Sequence, residues 1–575
     1  MQDFADLVIV NAEVHTMDPS NPGRMSDAVA VKDGLVVGLG AEDAARLTGP
    51  ATQVVDAQGG ALLPGINDAH LHFVSAAMAS YGYIRLDAAT APDWSAVVGV
   101  IEAAPVGADG WVRAHGWDEV ALGAASDQLL DARRGTPVVA FDQTGHQLLA
   151  NREALLRAGV SADTPDVDGG VVVRTPEGSP TGLLQDGAME LVSRALPPVP
   201  EETLRPALLQ LQEQLHSLGI TSLTDPGLGP ASAGLMDGAG STAALRLLGD
   251  LAAAELLTLR INVLMLFAGT GGATARAVEE GLASGLADAY SARGIDPRQL
   301  RIAGVKVFAD GIPRSGTAWM TEPYGKACTH GRLVIQGGSD AERVAELHRI
   351  LRLIDGAGLQ AGIHATGDAA TGAAVEAILA AGPRTGDPRH YIIHGSFNDS
   401  ATLATMADNG IGYSTNPLIR SQAGDIMRTV LGEERFIRHQ PLRSALEAGV
   451  EFNLASDAPV TSPDWRRTIV AAVRRGTAST PGDPADPERI TGLQALASMT
   501  CKAAWQDHAE HFKGSLLPGM VADLCLLSKP WPSDGEIEAL LHTGIRLTVA
   551  GGRIVHQAST SDSRSDHYTS SSNRS

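Results

Sequence analysis

The middle of the chain alternates short apolar segments with amphipathic segments, and this alternation restricts the possible fold more than any other feature. The apolar segments are short and rich in β-branched residues, which predicts strands at 220–225, 260–264, 302–308, 360–364, 391–394 and 451–457. Amphipathic segments such as 340–354 and 370–381 predict helices between them. Strands that alternate with helices favour a parallel sheet with helical crossovers, either open or closed into a barrel.

Short strands are also predicted near both ends of the chain. They lie within 7–10, 28–31, 36–39, 519–527 and 545–555, and Asp33-Gly34 is a hairpin turn signal between two of them. The matching strand character predicts one composite β-sandwich domain made of residues 1–62 and 515–557. Two independent strand clusters are the alternative. The continuous middle, 63–514, is then the barrel.

Two segments depart from this organisation. Residues from about 81 to 215 contain their own apolar segments and many Gly and Pro breaks. They predict an insertion after the first barrel strand, which is expected to cover the site as a lid. The tail 558–575 is polar and of low complexity, so it cannot bury a core and is expected to be disordered.

The composition is that of a soluble globular protein with an acidic surface. The 575 residues are 44% hydrophobic and 19% charged, and the formal net charge is −22. Such a charge disfavours nucleic acid, whose binding rests on Lys and Arg. Only three cysteines occur, which excludes a disulfide framework. With neither a signal-peptide pattern nor an apolar run of about 20 residues, we expect a cytoplasmic protein without membrane partners.

His70 and His72 follow the apolar run 61–63 and the break Pro64-Gly65. Residues at i and i+2 of an extended segment point to the same face, so both imidazoles can reach one metal ion. Taken alone, such a pair is more often a surface or structural feature than a metal site.

Four further polar residues stand in or at the ends of other predicted strands: Lys306, His364, His394 and Asp457. Lys306 interrupts an apolar strand, where a charge is costly unless it is paired or used chemically. In a parallel barrel the carboxyl ends of all strands open onto one face, where active sites lie. Each residue has an ordinary structural explanation, but their shared position predicts a single site. Nitrogen and oxygen ligands of this kind suit Zn²⁺, with Mn²⁺, Fe²⁺ or Co²⁺ as alternatives.

With these features the chain resembles the amidohydrolase superfamily, and within it the amidohydrolase-3 (YtcJ-like) group that includes N-substituted formamide deformylases. The resemblance extends from Leu7 to about Val555, and its motifs lie at 63–73, 116–118, 219–225, 305–311, 364–370, 456–460 and 514–524. It implies an α/β fold: a distorted (β/α)₈ barrel of the TIM type, together with the composite β-sandwich domain and the insertion.

The resemblance also implies how the site residues divide between one or two metal ions. The more buried ion is bound by His70, His72 and Asp457, and the second ion by His364 and His394.

Lys306 is implied to be carbamylated by CO₂, which turns its ammonium group into a carboxylate that bridges the two ions. A single ion beside an unmodified Lys306 is the alternative. One position departs from the family pattern, because Ile393 stands where an acidic residue usually precedes the histidine of the second ion. That carboxylate would have oriented the imidazole of His394, so the second ion is less firmly predicted than the first.

Two residues of the insertion, His146 and Trp117, are candidate substrate contacts. His146 and Asn151 belong to a segment that is similar to one of the family, and His146 is placed to polarise a carbonyl or to hold a leaving group. Trp117 is expected to line the pocket. Packing of the insertion loops explains these residues equally well. His330 is assigned to the surface.

The implied reaction is hydrolysis of a non-peptide carbon–nitrogen bond, amide or formamide-like, by a metal-activated hydroxide with Asp457 as general acid and base. A deaminase or a hydrolase of cyclic amides, carbamates or esters on the same scaffold is the alternative. A non-catalytic scaffold protein is a third. The expected partner is a small-molecule substrate, and a homodimer is an option.

Overall fold

The computed structural model describes residues 4–125, 127–167, 170–230, 241–325, 329–382 and 386–558. Of the predicted disordered tail, residues 559–575 lie outside this range, as does Cys328. The other two cysteines, Cys501 and Cys525, are buried free thiols.

An eight-stranded parallel sheet forms the centre of the molecule. Its strands, each paired with the next along the chain, are Ile66–Asp68, Ile220–Leu228, Arg260–Met265, Leu300–Phe308, Gln360–Ala365, Tyr391–His394, Gly412–Thr415 and Phe452–Leu454. The first and last strands meet where the Asp457 N–H donates to the His70 carbonyl at 2.8 Å. The Ser456 N–H likewise donates to the Asp68 carboxylate at 3.1 Å. The sheet thus curves into the predicted TIM-like barrel, and the expected fold class is confirmed.

Helices pack around this barrel and bury its outer face. They are Phe73–Ala77, Glu201–Ser217, Ser241–Ala253, Ala275–Ala283, Asp340–Gly356, Asp368–Ala380, Ser400–Asp408, Leu442–Ala448, Trp465–Arg474, Gly492–Ser498 and Cys501–Gln506. Two further helices, Pro417–Leu431 and Glu433–Ile437, share a separate core with residues 318–324. The predicted helix 340–354 is observed as Asp340–Gly356, with Leu347, Ile350 and Ile354 buried on one face. The Ser339 side chain caps its first turn.

Strands from both ends of the chain share one sheet. In spatial order this six-stranded sheet consists of Arg553–Gln557, Ile545–Ala550, Leu524–Leu527, Ala61–Pro64, Glu13–His15 and Met25–Ser26. A four-stranded sheet of Leu35–Leu39, Val29–Lys32, Leu7–Val10 and Gln53–Asp56 packs against it through a common core. The composite β-sandwich is therefore present, while the domain boundaries at 62/63 and 514/515 stay a prediction.

The segment between the first two barrel strands folds into a sheet of its own. In spatial order this six-stranded sheet consists of Gly170–Arg174, Pro180–Asp186, Gln147–Ala150, Val138–Asp142, Val112–Trp117 and Ile84–Arg85. The helices Trp94–Ala103, Glu119–Leu122, Arg152–Ala158 and Glu190–Ser193 accompany it. The later helix Glu201–Ser217 belongs to the barrel layer, because Leu204, Leu208 and Leu211 are part of the barrel's core. The sheet of the insertion accordingly spans residues 84–186.

Shorter helical elements complete the described chain: Ala41–Leu47, Met78–Gly82, Asp127–Leu129, Gly187–Met189, Leu286–Asp288, Ser291–Arg293, Pro313–Ser315 and Asp534–His542. None of the helices within the described ranges combines the length and the apolar character that crossing a bilayer requires.

Candidate metal centre

The residues predicted from the strand ends line one cavity of about 560 Å³. It opens at the carboxyl ends of the barrel strands, the face on which barrel enzymes carry their active sites. The predicted residues on its wall are His70, His72, His146, Lys306, His364, His394 and Asp457.

His70 and His72 follow the strand Ile66–Asp68 rather than lying on it. Their rings stand edge to face, with centroids 5.1 Å apart. The two Nε2 atoms nevertheless approach the same carboxylate oxygen, since His70 Nε2 lies 3.1 Å and His72 Nε2 3.4 Å from Asp457 Oδ1. Three ligand atoms from opposite ends of the barrel sequence therefore meet at one point.

Several of these buried atoms have no hydrogen-bond partner among the described residues: His70 Nδ1, His70 Nε2, His72 Nδ1 and Asp457 Oδ1. His70 is fully buried and Asp457 is 4% exposed, and buried polar atoms are nearly always hydrogen-bonded. Atoms that approach each other without hydrogen-bond geometry are expected where an ion lies between them. The ligand atoms of His70, His394 and Asp457 lie within 4.8 Å of one another, close to the largest separation of about 4.4 Å that two ligands about 2.2 Å from one ion can have.

The electrostatics of the site favour the protonation states that bind metals. Burial and the positive charge of Lys306 hold the pKa of His70 well below its usual range. Burial alone would raise the pKa of Asp457, but the imidazoles of His70 and His72 beside it hold that pKa well below its usual range. Neutral imidazoles and an ionised carboxylate are the forms that coordinate a cation.

Lys306 lies within the strand Leu300–Phe308 and is 3% exposed. Its Nζ is 4.6 Å from the centre of the Phe308 ring, and both side chains line the cavity. The structure thus places an almost fully buried amine on the wall of the candidate metal centre.

The imidazoles of His364 and His394 stand edge to face with ring centroids 4.6 Å apart. The Nε2–H of His364 donates to the Gly311 carbonyl at 3.1 Å, which leaves its Nδ1 for a metal. The Nδ1–H of His394 donates to Asn416 Oδ1 at 2.8 Å, which leaves its Nε2. Burial lowers the pKa of His394 to about 4, so its ring is neutral near pH 7.

Asn416 was not identified from the sequence. Its side-chain oxygen orients His394, the role that was expected of an acidic residue at position 393. Asn416 is 1% exposed and follows the barrel strand Gly412–Thr415 directly. Its own Nδ2–H donates to the Ala455 carbonyl at 3.1 Å, which fixes the amide. A polar residue directly after a barrel strand is the signal that could have revealed it.

Asp310 is a second residue missed from the sequence. Its carboxylate accepts backbone N–H groups of Trp319, Thr366 and Gly367 at 2.9, 2.9 and 2.8 Å. Burial raises the pKa of Asp310 to about 7. These hydrogen bonds tie together the loops that follow two neighbouring barrel strands, and they support the position of His364.

Two of the strand-end residues adopt backbone conformations that are unusual for residues other than glycine. The φ angle is 68° at His394 and 60° at Asp457. Such left-handed conformations cost about 1–3 kcal/mol each and concentrate at functional sites, where the surroundings hold them. The strain supports a functional role for these two residues.

The insertion supplies His146 to the cavity but keeps Trp117 apart from it. Trp117 is fully buried in the core of the insertion, where its indole N–H donates to the Ala140 carbonyl at 2.9 Å. The next residue, Asp118, lines the cavity instead. Asn151 caps the helix Arg152–Ala158, which is a structural role.

A family model described as "Amidohydrolase family" matches residues 53–556. The chain belongs to the amidohydrolase family. It is 27% identical over 561 residues to Protein LONG AFTER FAR-RED 3 of Arabidopsis thaliana, covering 96% of this chain and 91% of that protein. YtcJ of Bacillus subtilis is 26% identical, with 93% and 97% covered. N-substituted formamide deformylase of Arthrobacter pascens is 27% identical, with 94% and 97% covered.

Among solved structures, an uncharacterized metal-dependent hydrolase from Pyrococcus horikoshii superimposes with a TM-score of 0.70. It is 21% identical and covers 92% of this chain and 99% of its own, so it supports the fold. This member of the amidohydrolase family is a hydrolase of carbon–nitrogen bonds other than peptide bonds, and it carries a candidate metal site of His and Asp residues.

Proposed function

We propose that the protein hydrolyses the carbon–nitrogen bond of a small formamide or related amide, with Asp457 as the general acid and base. The observation that carries this proposal is the convergence of His70 and His72 on one oxygen of Asp457, at 3.1 and 3.4 Å. Near-complete burial of these groups makes a purely structural arrangement costly.

In this proposal His70, His72 and Asp457 hold the first ion, and His364 and His394 hold a second one. A single ion held by His70, His394 and Asp457, whose ligand atoms lie within 4.8 Å of one another, is the alternative. Zn²⁺ suits imidazole and carboxylate ligands, and Mn²⁺, Fe²⁺ or Co²⁺ are alternatives. When bound, such an ion polarises a carbonyl group and lowers the pKa of a water bound to it to about 7.

Lys306 is proposed to be carbamylated, with its new carboxylate facing both sets of ligands. The almost complete burial of this lysine on the wall of the candidate metal centre supports the modification, because burial makes an ammonium group costly and favours the neutral amine, which is the form that reacts with CO₂.

Asp457 carries the proton in the proposed reaction. Its ionised carboxylate accepts a proton from the water that attacks the carbonyl carbon. It then gives the same proton to the nitrogen as the carbon–nitrogen bond breaks and the electron pair of that bond moves to the nitrogen. The products are a carboxylic acid, formic acid in the case of a formamide, and an amine.

A small-molecule substrate fits the cavity of about 560 Å³, which lies within the usual range of ligand pockets. The similarity to a formamide deformylase along 94% of the chain supports a formamide or a related amide as the substrate. We further propose that the protein acts in the cytoplasm, binds neither nucleic acid nor membranes, and forms a homodimer, which light scattering would test.

The experiment is an activity screen of the metal-loaded protein against N-formyl, N-acyl, carbamate and cyclic-amide compounds, with metal content measured by mass spectrometry. Release of an amine together with formate or another acid supports the proposal. Release of ammonia from a heterocycle identifies a deaminase on the same scaffold. A fully loaded protein that turns over none of these compounds contradicts the proposed reaction.

A further inference from the structure

His146 and Asp186 form a pair that couples the insertion to the catalytic cavity. The Nδ1–H of His146 donates to Asp186 Oδ1 at 2.8 Å, and the Asp186 backbone N–H donates to the His146 carbonyl at 2.9 Å. The two residues are 40 positions apart and lie at the ends of adjacent antiparallel strands. Side chain and backbone thus hold the imidazole together.

Asp186 is held in a strained conformation for this contact. Its φ and ψ are 47° and −128°, a region that residues with a side chain rarely adopt. Such a conformation costs about 1–3 kcal/mol and persists where the surroundings impose it. At this position the strain directs the carboxylate at His146, and the carboxylate side chain is 12% exposed.

The imidazole of His146 stands at the border of two cavities. It lines the catalytic cavity and also an adjoining one of about 220 Å³, whose wall includes Asp186. Its ring centroid is 6.3 Å from that of His364. His146 therefore reaches the candidate metal centre from the insertion, whereas the other imidazoles reach it from the barrel.

The barrel histidines beside it have no N–H group left to offer a substrate oxygen. The Nε2–H of His364 is given to Gly311, and the Nδ1–H of His394 is given to Asn416. Hydrolysis of an amide puts negative charge on the carbonyl oxygen as water adds, and a placed donor at that oxygen is among the largest catalytic contributions.

We propose that His146 is a catalytic residue that donates a hydrogen bond from Nε2–H to the carbonyl oxygen of the substrate, and that Asp186 is its positioning residue. The inference rests on the proposed amide hydrolysis. Both ring nitrogens carry a proton in this proposal: burial lowers the pKa of His146, but the hydrogen bond to the Asp186 carboxylate and the charge of that carboxylate outweigh burial and raise it. Neither proton leaves the ring. Proton transfer to the leaving nitrogen remains with Asp457.

The first test compares kcat and KM of His146→Leu and Asp186→Asn with the wild type on a hydrolysed amide. Loss of one oxyanion donor is expected to lower kcat about 10²–10³-fold with little change in KM. Asp186→Asn should lower kcat similarly, because a neutral amide can still accept the Nδ1–H but no longer stabilises the doubly protonated ring, so Nε2 loses its proton. His330→Leu and Asp131→Asn are matched controls, since His330 contacts the Met320 carbonyl and Asp131 forms an exposed pair with Arg152.

The dependence of the loss in kcat on the leaving amine distinguishes a donor to the carbonyl oxygen from a donor to the leaving nitrogen. The loss caused by His146→Leu should be equal for amides of strongly and weakly basic amines. A much larger loss with the strongly basic amines would assign His146 to the leaving nitrogen and overturn the inference. A structural role alone would change KM or zinc content, both of which are measured.

A binding measurement decides the inference independently of turnover. Phenylphosphonate, a tetrahedral oxyanion, is titrated by calorimetry into the zinc-loaded protein. Binding that weakens about tenfold or more in both variants, with the controls unchanged, supports the donor role. Equal binding in His146→Leu and wild type, or no binding to the wild type, overturns it. A wild type that binds phenylphosphonate through His146 but hydrolyses no amide contradicts the proposed reaction and not the donor.

Discussion

Replacement of Asn416 by alanine is expected to weaken the binding of one zinc ion without abolishing the fold. Asn416 Oδ1 accepts the Nδ1–H of His394 at 2.8 Å, which keeps Nε2 of that ring unprotonated for a metal. Loss of such an orienting partner typically lowers metal affinity about 10–100-fold, which corresponds to about 1.4–2.8 kcal/mol. The free energy of unfolding should also fall by about 1–3 kcal/mol, because the buried Ala455 carbonyl loses its donor at 3.1 Å.

The assay uses zinc as the probe ion: the protein competes with a chromophoric zinc chelator, and the titration resolves bound zinc by its affinity. Asn453→Ala is the matched control, since Asn453 is 2% exposed, lies in the barrel strand Phe452–Leu454 and donates one side-chain hydrogen bond to Gln506. It should lose stability but keep its zinc affinity. Asn416→Asp retains an acceptor for His394 and should bind zinc nearly as the wild type does. If Asn416→Ala binds every zinc ion as tightly as the wild type, the orienting role is refuted.

Three further outcomes are expected. Asp457→Asn should keep its circular dichroism spectrum but lose about 10²–10⁴-fold in kcat; near-normal turnover by the zinc-loaded variant would exclude the proton-carrier role. Zinc loading in CO₂-free buffer should leave the wild type with less zinc than loading with bicarbonate, and this difference should vanish in Lys306→Ala. Burial lowers the pKa of His115 from 6.5 to about 4, so the folded state resists protonation. The unfolded state binds this proton below pH 6.5 and the folded state does not. The free energy of unfolding therefore falls by about 3 kcal/mol as the pH falls from 6.5 to about 4. Urea titrations of His115→Gln should lack that part of the acid destabilisation.

Much of the barrel was predictable because strand signals are local. The apolar run 302–308 lies within the strand Leu300–Phe308, and the segment 391–394 coincides with Tyr391–His394. The strand Gly412–Thr415 was not singled out, because its four residues include Gly, Ser and Thr and carry little apolar signal. Its place in the sheet is set by pairing with Tyr391–His394 and Phe452–Leu454.

The strand-end pattern likewise pointed to the residues that line the cavity, since a parallel barrel brings all carboxyl ends to one face. Trp117 was less predictable, because the face of an insertion strand that meets the cavity depends on how the insertion docks. Packing buried this indole in the insertion's core and turned its neighbour Asp118 to the cavity.

Residue types and their order along the chain were thus enough to indicate a barrel with His, Lys and Asp at its mouth. The availability of each imidazole nitrogen for a metal or a substrate followed from contacts between distant residues. His394 meets Asn416 across 22 positions, and His146 meets Asp186 across 40. A hydrogen bond to one nitrogen of a ring fixes where its proton lies, and only the packing of separate strands and loops brings those partners within reach.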